Sequence, residues 1–474
     1  MNLFKKFPGT FWIANLIELF ERWAWYGLFV LFANYLTGST ETGALGFSQA
    51  EKGLMMGVGV SILYFLPLIT GAIADKYGYR KVLFLSFIIY TSAFILLPLC
   101  TSFTGVFIMY IYLAVGAALF KPVISATIAK TTTDEPSSIG FGIFYMMVNI
   151  GAFFGPMVTL ILRNRSGSYH IVFYISAAIV ALNFIMLLFY KEPEREPNNE
   201  PFSKAIGTVF RNVCTSVKDY RFLIFLLLIA GFWTMYYQLF YTLPVFIAQW
   251  VDTSAVYDFF AGNLPYFAAN YGANGQMDAE FITNFDALFI IIFQIMISAL
   301  LMKWKPLNAM MTGFLVCSAG IALTLMTQNV VFTIVALFVF SLGEMSGSPK
   351  ITEYIGRIAP HDKKALYMGC SFIPVCVGSL FAGFVSGNVY GAMSDKFTLV
   401  QKEVAERGLQ LSDTLSINEY FAQAAAQMNL TTMELTNHLW DKYHPASIWT
   451  IIFAIGFAAA AGLFLYDRYL LNAK

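Results

Sequence analysis

The chain has 474 residues, of which 58% are hydrophobic and 12% charged, with 47 Phe and 35 Gly; this excludes an ordinary soluble globular domain. A net charge of +1 and a pI near 7.6 point to no charged partner, and no nucleic-acid partner is expected. The five cysteines, Cys100, Cys214, Cys317, Cys370 and Cys376, are scattered and form no CxxC pair, so they read as small core residues rather than a disulfide framework or a metal site.

Apolar stretches of about 20 residues, enough to cross a hydrocarbon core of roughly 30 Å, recur along the whole chain and predict an all-α polytopic membrane protein. The first span is expected over 9–36 and is too long and too charged for a cleavable signal. It contains ELFERWAWYG (18–27), which sets Glu18, Glu21 and Arg22 at membrane depth. Each ion there costs roughly 2.5–3.5 kcal/mol unless it faces protein or water. Spacings of i, i+3 and i+4 put the three, with Trp25, on one face. That face is expected to line a polar interior. Arg22 stays protonated, so a carboxylate or a substrate anion must offset it; Glu18 or Glu21 can do so locally.

Further spans are expected over 51–74, 81–100, 103–129, 138–162 and 169–190. Between the second and third lies GAIADKYGYRK (71–81), in which Asp75 can accept from donors on its side and Arg80 and Lys81 can anchor at headgroups. The fourth span carries Lys121 ahead of Pro122, a residue that bends helices. Lys121 reads either as a lysine snorkelling from a helix end or as a cation in a cavity. A charged, Pro-rich connector at 191–220 then separates an N-terminal bundle (1–190) from a C-terminal one (221–474).

The second set is expected over 221–250, 281–303, 306–327, 330–357, 364–392 and 445–470, giving about twelve spans in two halves of six. Glu344 falls near the middle of the tenth span, where it can offset a substrate amine. Lys350 and Glu353, at i and i+3 near the end of that span, read as a gate or structural pair. Two long segments, 251–280 and 393–444, lie on the opposite side from the connector. The second reads as short amphipathic helices, either a small cap or a solvated spacer. Asn164-Arg-Ser and Asn429-Leu-Thr fit a glycosylation pattern on that side.

Lys5, Lys6, Lys76, Arg80, Lys81, Lys130, Lys204, Arg211, Lys218, Arg221, Lys303, Lys305, Arg357, Lys363 and Lys364 collect on the connector's side, against Lys52, Arg163 and Arg165 opposite. The positive-inside rule then places both termini in the cytoplasm of a cell-membrane protein. No histidine falls within a span: His170, His361, His438 and His444 sit at loops or span ends. Proton carriage would fall to carboxylates, whose pKa drops beside Arg and rises in apolar surroundings.

With two six-helix halves, GxxxDxxGxRK resembles the loop motif of the major facilitator superfamily, whose members rock two halves about a midplane site. Several segments are similar to one branch, the proton-dependent oligopeptide transporters (POT family). ELFERWAWYG resembles that family's ExxERxxYYG helix, FYMMVNIGAFFGP (144–156) its FYxxINxGxxxxP element, AVGAALFKPVIS its GxGxFKPNIS, and SLGEMSGSP (341–349) its SxGExxxSP. The resemblance covers most of the membrane part but not 393–444. It implies a proton-coupled importer of di- and tripeptides or peptide-like zwitterions, with the proton as coupling ion and no cofactor. Glu18, Glu21, Arg22 and Asp286 would handle the proton. Lys121 and Glu344 would address the two peptide termini, with Tyr26, Tyr64, Asn149, Trp233, Gln238, Asp286 and Ser371 as further substrate contacts. Asp75, Arg80, Lys350 and Glu353 would serve gating or structure.

This chain also departs from the family pattern. Tyr237 stands where the family carries Asp or Glu, Asp286-Ala287 where it has Asn-Pro, Ser371 where it often places a pocket Trp, and Trp25 for the first tyrosine of its pair. Two other readings therefore stand beside the first: a drug/proton antiporter exporting amphiphiles, and a transporter-like sensor or scaffold whose segment 393–444 binds a protein partner. An enzyme is not expected, since no nucleophile–base set, metal cluster or phosphate loop is found.

Overall fold

The computed structural model describes residues 7–132, 137–194, 202–323, 325–359, 364–412 and 414–471. Lys5, Lys6, His361, Lys363 and the Pro-rich stretch 195–201 lie outside these, as do the side chains of Cys214 and Lys364.

Among the described residues nine helices are long and apolar enough to cross a membrane, and a bent pair makes a tenth. Gly9–Thr37, whose buried charges lower its hydropathy, and Pro306–Leu323 complete the twelve. Large apolar side chains such as Ile295, Leu188 and Phe384 stay exposed on the outer surface, as a lipid-facing belt requires.

Prolines shape the spans. The second is Gln49–Phe65 followed by Pro67–Tyr77, bent by 42° at Pro67, which has no N–H to continue the helical ladder and whose ring crowds the carbonyl four residues earlier. Pro122, Pro156 and Pro349 lie inside the fourth, fifth and tenth spans. After the second span the chain turns at Gly78 (φ +101°), a conformation that favours glycine, and Tyr79 donates back to Asp75 at 3.3 Å within the expected loop motif. The seventh span is broken into Tyr220–Tyr236, Gln238–Tyr241 and Leu243–Trp250; the eleventh changes from Ile373–Phe384 into a π-helical turn, Val385–Val389.

In the N-terminal half, the first span packs on the fifth and sixth, and the third on the fourth and sixth. In the C-terminal half, the ninth packs on the tenth and twelfth, and the seventh on the eleventh and twelfth. Across the halves, the second meets the eleventh, the first meets the seventh and the fifth meets the eighth. The connector forms an amphipathic helix, Phe202–Val217, on what we call the linker face.

The opposite, cap face carries Ser254–Asn263, Pro265–Tyr271 and a two-stranded hairpin, Gly272–Ala273 with Gln276–Met277. The segment expected as amphipathic helices is three of them: Lys396–Glu406, Ile417–Gln427 and Thr432–Tyr443. Each has its own start signal: Asp395 caps the first, and Ser416/Glu419 and Thr431/Glu434 form capping boxes on the other two. Glu403, 1% exposed, ties the first to the third through Lys442 at 2.6 Å, His438 at 2.9 Å and Tyr443 at 3.0 Å, with Arg407 at 2.7 Å. A solvated spacer does not have such a core.

Candidate functional site

A cavity of about 470 Å³ lies between the halves. Glu18, Arg22 and Tyr26 reach it from the first span, Tyr64 from the second, Lys121 from the fourth and Asn149 from the fifth. The opposite wall is Trp233, Tyr236, Tyr237 and Phe240 of the seventh span with Glu344 of the tenth. Pro67, Pro122, Ser348 and Phe372 line its linker side.

The ions on the first helix are assembled as a unit. Arg22 is 5% exposed, with its Nε 3.3 Å from Glu18 and Glu21 bonded directly to it. Glu21 is fully buried behind the cavity wall, where its second oxygen accepts from Tyr90 at 2.5 Å. Removing one member of such a buried set leaves a charge uncompensated and costs about 3–5 kcal/mol. Facing them, Lys121 extends its ammonium to 4.4 Å from the centre of the Tyr64 ring, a cation–π contact, and also bonds the Tyr64 side chain. In the C-terminal half, Tyr236 donates to Glu344 Oε1 at 2.9 Å, while Glu344 Oε2 is buried with no hydrogen-bond partner among the described residues. The Trp233 indole N–H in the same wall is likewise unsatisfied. A cationic wall on one half thus faces an acceptor-bearing wall on the other.

The cap face is closed above this cavity. Asn34 donates to Glu280 at 2.9 Å and Arg163 lies 3.6 Å from it; Asn164 donates to Asp278 at 2.5 Å; Arg165 reaches the Asn270 side chain at 2.8 Å. Lys52, fully buried, donates to the Tyr241 carbonyl at 2.7 Å, and Gln49 to Asp395 at 2.9 Å. Ser416 of the cap bonds Glu41 in the loop after the first span.

A model of the Major Facilitator Superfamily matches residues 12–383, most of the chain. The chain belongs to that superfamily. Among curated proteins it is similar to "Uncharacterized transporter YclF" of Bacillus subtilis, 27% identical over 42% of this chain and 42% of that one. It is also similar to "Dipeptide and tripeptide permease A" of Pectobacterium carotovorum, 28% identical over 42% and 39%. The match thus spans about two fifths of these relatives' length. Among solved structures, a POT family transporter in complex with 5-aminolevulinic acid superposes with a TM-score of 0.73, covering 97% of this chain and 96% of that one at 16% identity, which shows a shared fold.

In this major facilitator most of the expected site residues converge: Glu18, Arg22, Tyr26, Tyr64, Lys121, Asn149, Trp233 and Glu344 all line one cavity. Lys121 is therefore not a snorkelling lysine at a helix end. Lys350 and Glu353 pair at 2.7 Å on the tenth span, with Arg357 joining Glu353 at 2.5 Å.

Several expectations are corrected. Gln238 does not face the cavity; fully buried, it bonds Thr242 and donates to the carbonyls of Thr234 and Ala382, because the break after Tyr236 turns it toward the eleventh span. Ser371 sits in a 3₁₀ turn, Cys370–Phe372, that presents Phe372 to the cavity in its place. Asp286 lies in a side chamber of about 60 Å³ that shares Glu344 and Asn149 with the main cavity, and it accepts from Ser341 at 2.6 Å. Lys52, counted among the few positives opposite the connector, lies fully buried in the first turn of the second span, which the Ser48/Glu51 capping box starts at Gln49. Asn164 is held in the cap-face contact, not free on a loop for glycosylation. Tyr236, Phe240 and Phe372 were not singled out from the sequence; in helices this rich in aromatics nothing marks them.

The cap-face contact makes a pH prediction. Asp278 precedes the eighth span, and its carboxyl is raised from 3.8 to about 6, by burial first and the neighbouring Glu280 second, against the pull of Arg163. Asn164, which donates to it, does not titrate. Parting the halves would return the carboxyl to water and its ordinary value. The closed state therefore binds this proton more tightly, and it gains over the open state as pH falls through about 6 toward about 4, by at most about 3 kcal/mol. In spin-label distance measurements across the cap face, the open fraction should shrink on acidification and Asp278→Asn should remove that dependence. An open fraction that grows with acid contradicts it.

Proposed function

We propose that this major facilitator is a proton-coupled importer of di- and tripeptides or peptide-like zwitterions, working by alternating access of the central cavity. The observation that carries this reading is the placement of Lys121 and Glu344 on opposite walls of one chamber, where one Glu344 oxygen takes no donor among the described residues. A peptide carboxylate suits the first and a terminal amine the second. The buried Glu18–Arg22–Glu21 set supplies carboxylates whose proton affinity would change as partners rearrange. Supporting it, the relatives include a dipeptide and tripeptide permease and a neighbour in fold holds the zwitterion 5-aminolevulinic acid. The proton is the coupling ion, and each charge carried inward would draw on roughly 2.3 kcal/mol per 100 mV.

On this reading the protein sits in the cell membrane with the linker face and both termini cytoplasmic and the cap face outside. The structure then represents an inward-facing state, its outer contacts made. Purified protein in proteoliposomes should take up labelled dialanine under an inward proton gradient and lose most uptake when the gradient is collapsed. Gradient-independent uptake, or none with any di- or tripeptide, rejects the proposal.

A drug/proton antiporter is the second reading, favoured by the aromatic wall of Trp233, Tyr236, Tyr237 and Phe240 and by Tyr237 in place of a carboxylate. It expects amphiphile efflux driven by the same gradient and no dipeptide uptake.

A further inference from the structure

A second and larger cavity, about 940 Å³, lies on the cap face between the cap helices and the loops of the C-terminal half. Trp250, Phe397, Phe421 and Met433 give it apolar walls, and Asp252 and Asn418 line it with polar groups. Lys396 also lines it. Its ammonium lies 4.5 Å from the centre of the Phe421 ring and 5.6 Å from that of Trp250, and no ion pair among the described residues includes it.

The adjacent Asp395 is committed elsewhere. One of its oxygens accepts from Gln49 and Gln249 at 2.9 Å each, the other from the backbone and hydroxyl of Thr398 at 3.1 and 2.9 Å. Asp252, exposed at the rim, accepts through Oδ1 from the Ser254 N–H at 3.0 Å and from Gln276 at 2.9 Å, and also from the Ser254 side chain. A cation held by aromatic faces and paired with no carboxylate among the described residues thus shares one amphipathic chamber with the exposed Asp252 carboxylate. That chamber is built on rigid parts: Trp250 donates its indole N–H to the Ser394 carbonyl at 2.8 Å, and Ser394 donates to the Pro445 carbonyl at 2.7 Å. A partly desolvated ammonium without a counter-charge favours an anion, and the aromatic rings favour one carried on an apolar body.

We propose that this cavity is a second binding site for peptide-like solutes, with the terminal carboxylate on Lys396, an apolar side chain against Phe421 and the amine toward Asp252. The proposal rests on the peptide reading of the central cavity and assigns the cap a loading role, concentrating cargo outside the closed contact. A photoreactive alanyl-phenylalanine and its C-terminal amide, cross-linked to the full chain in nanodiscs and mapped by mass spectrometry, test it. The dipeptide should label the 417–437 segment as well as the central cavity. Glu344→Gln should weaken only the central label; Lys396→Ala should weaken only the cap label, about tenfold; Lys396→Arg should restore it; and the amide should leave the cap unlabelled. In uptake, Lys396→Ala should raise KM about tenfold with Vmax within twofold, and exchange started from the linker side should be unaffected. Unchanged elution and melting of each variant exclude misfolding. Labelling confined to the central cavity, or a cap label indifferent to Lys396 and to amidation, overturns the second site alone. Labelling in neither cavity overturns the peptide reading and this proposal with it.

Discussion

Replacing Lys121 with Ala is expected to abolish proton-driven dipeptide uptake, and Glu344→Gln to lower it at least about thirtyfold. In the structure both groups are part-buried and line the same chamber. Lys121 meets an aromatic face at 4.4 Å, and Glu344 keeps one buried oxygen without a donor among the described residues. A zwitterion spanning them satisfies both at once. Truncating one partner of a buried, hydrogen-bonded charge pair costs about 2–5 kcal/mol, or roughly thirtyfold to several thousandfold in affinity. Lys121→Arg keeps the charge but spreads it over a planar fork, so it should retain partial uptake. Glu344→Gln also removes a proton-accepting group beside Asp286, so the residual uptake should respond less to the gradient. Counterflow in proteoliposomes separates the effects. A variant that binds and exchanges but no longer concentrates cargo has lost coupling, and one that does neither has lost the site. Normal uptake by both variants would show that the chamber's charges do not address the cargo.

The charged part of this site was legible in the sequence because burying an ion is costly enough to leave few alternatives. Glu18, Arg22, Lys121 and Glu344 stood out in apolar helices, and all four line one chamber. Neutral groups gave a weaker signal, since their placement depends on which face of a helix they occupy, and one residue turns that face by about 100°. Gln238 and Ser371 were misplaced for this reason: each sits beside an irregularity, the break after Tyr236 and the 3₁₀ turn Cys370–Phe372, that hydropathy does not register. The same blindness hid the partners Tyr236 and Phe372. Most of the spans were readable because length and apolarity suffice to specify them, ten by that measure alone among the described residues when the bent pair counts as one. The cap-face contacts were not, because Lys52, Asn164, Asp278 and Glu280 look like ordinary loop and span-end polar residues until two distant segments are brought together.

Gly53→Leu is expected to eliminate transport without unfolding either half. Gly53 and Gly57 of the second span face Gly383 and Gly387 of the eleventh, each pair four residues apart, so one small-residue stripe packs on another across the two halves. A Cβ added at Gly53 would lie 2.2 Å from the Gly383 carbonyl oxygen and 2.7 Å from the Gly387 Cα; one at Gly383 would lie 2.3 Å from the Gly53 oxygen. These obstacles are backbone atoms, so no rotamer relieves the overlap and the helices must separate. The π-helical turn at Val385–Val389 contains Gly387, where an added Cβ would lie 3.0 Å from the Gln49 carbonyl oxygen. Separation would strain the neighbouring bonds from Lys52 to Tyr241 and from Gln49 to Asp395, so the cap-face closure is lost as a unit. Reversing a closed-to-open ratio from 99:1 to 1:99 takes about 5.5 kcal/mol, within reach of a leucine forced against backbone. The variant should be held open on the cap face: spin-label distances between positions 41 and 416 should lengthen, a cysteine at Tyr64 should react with an impermeant maleimide from that side, and uptake should cease while dipeptide still binds. Gly262→Leu, where an added Cβ meets nothing within 4 Å, is the matched control and should transport normally. If Gly53→Leu transports at the normal rate with cap-face distances unchanged, the glycine seam is not the closing surface, and the halves must meet elsewhere.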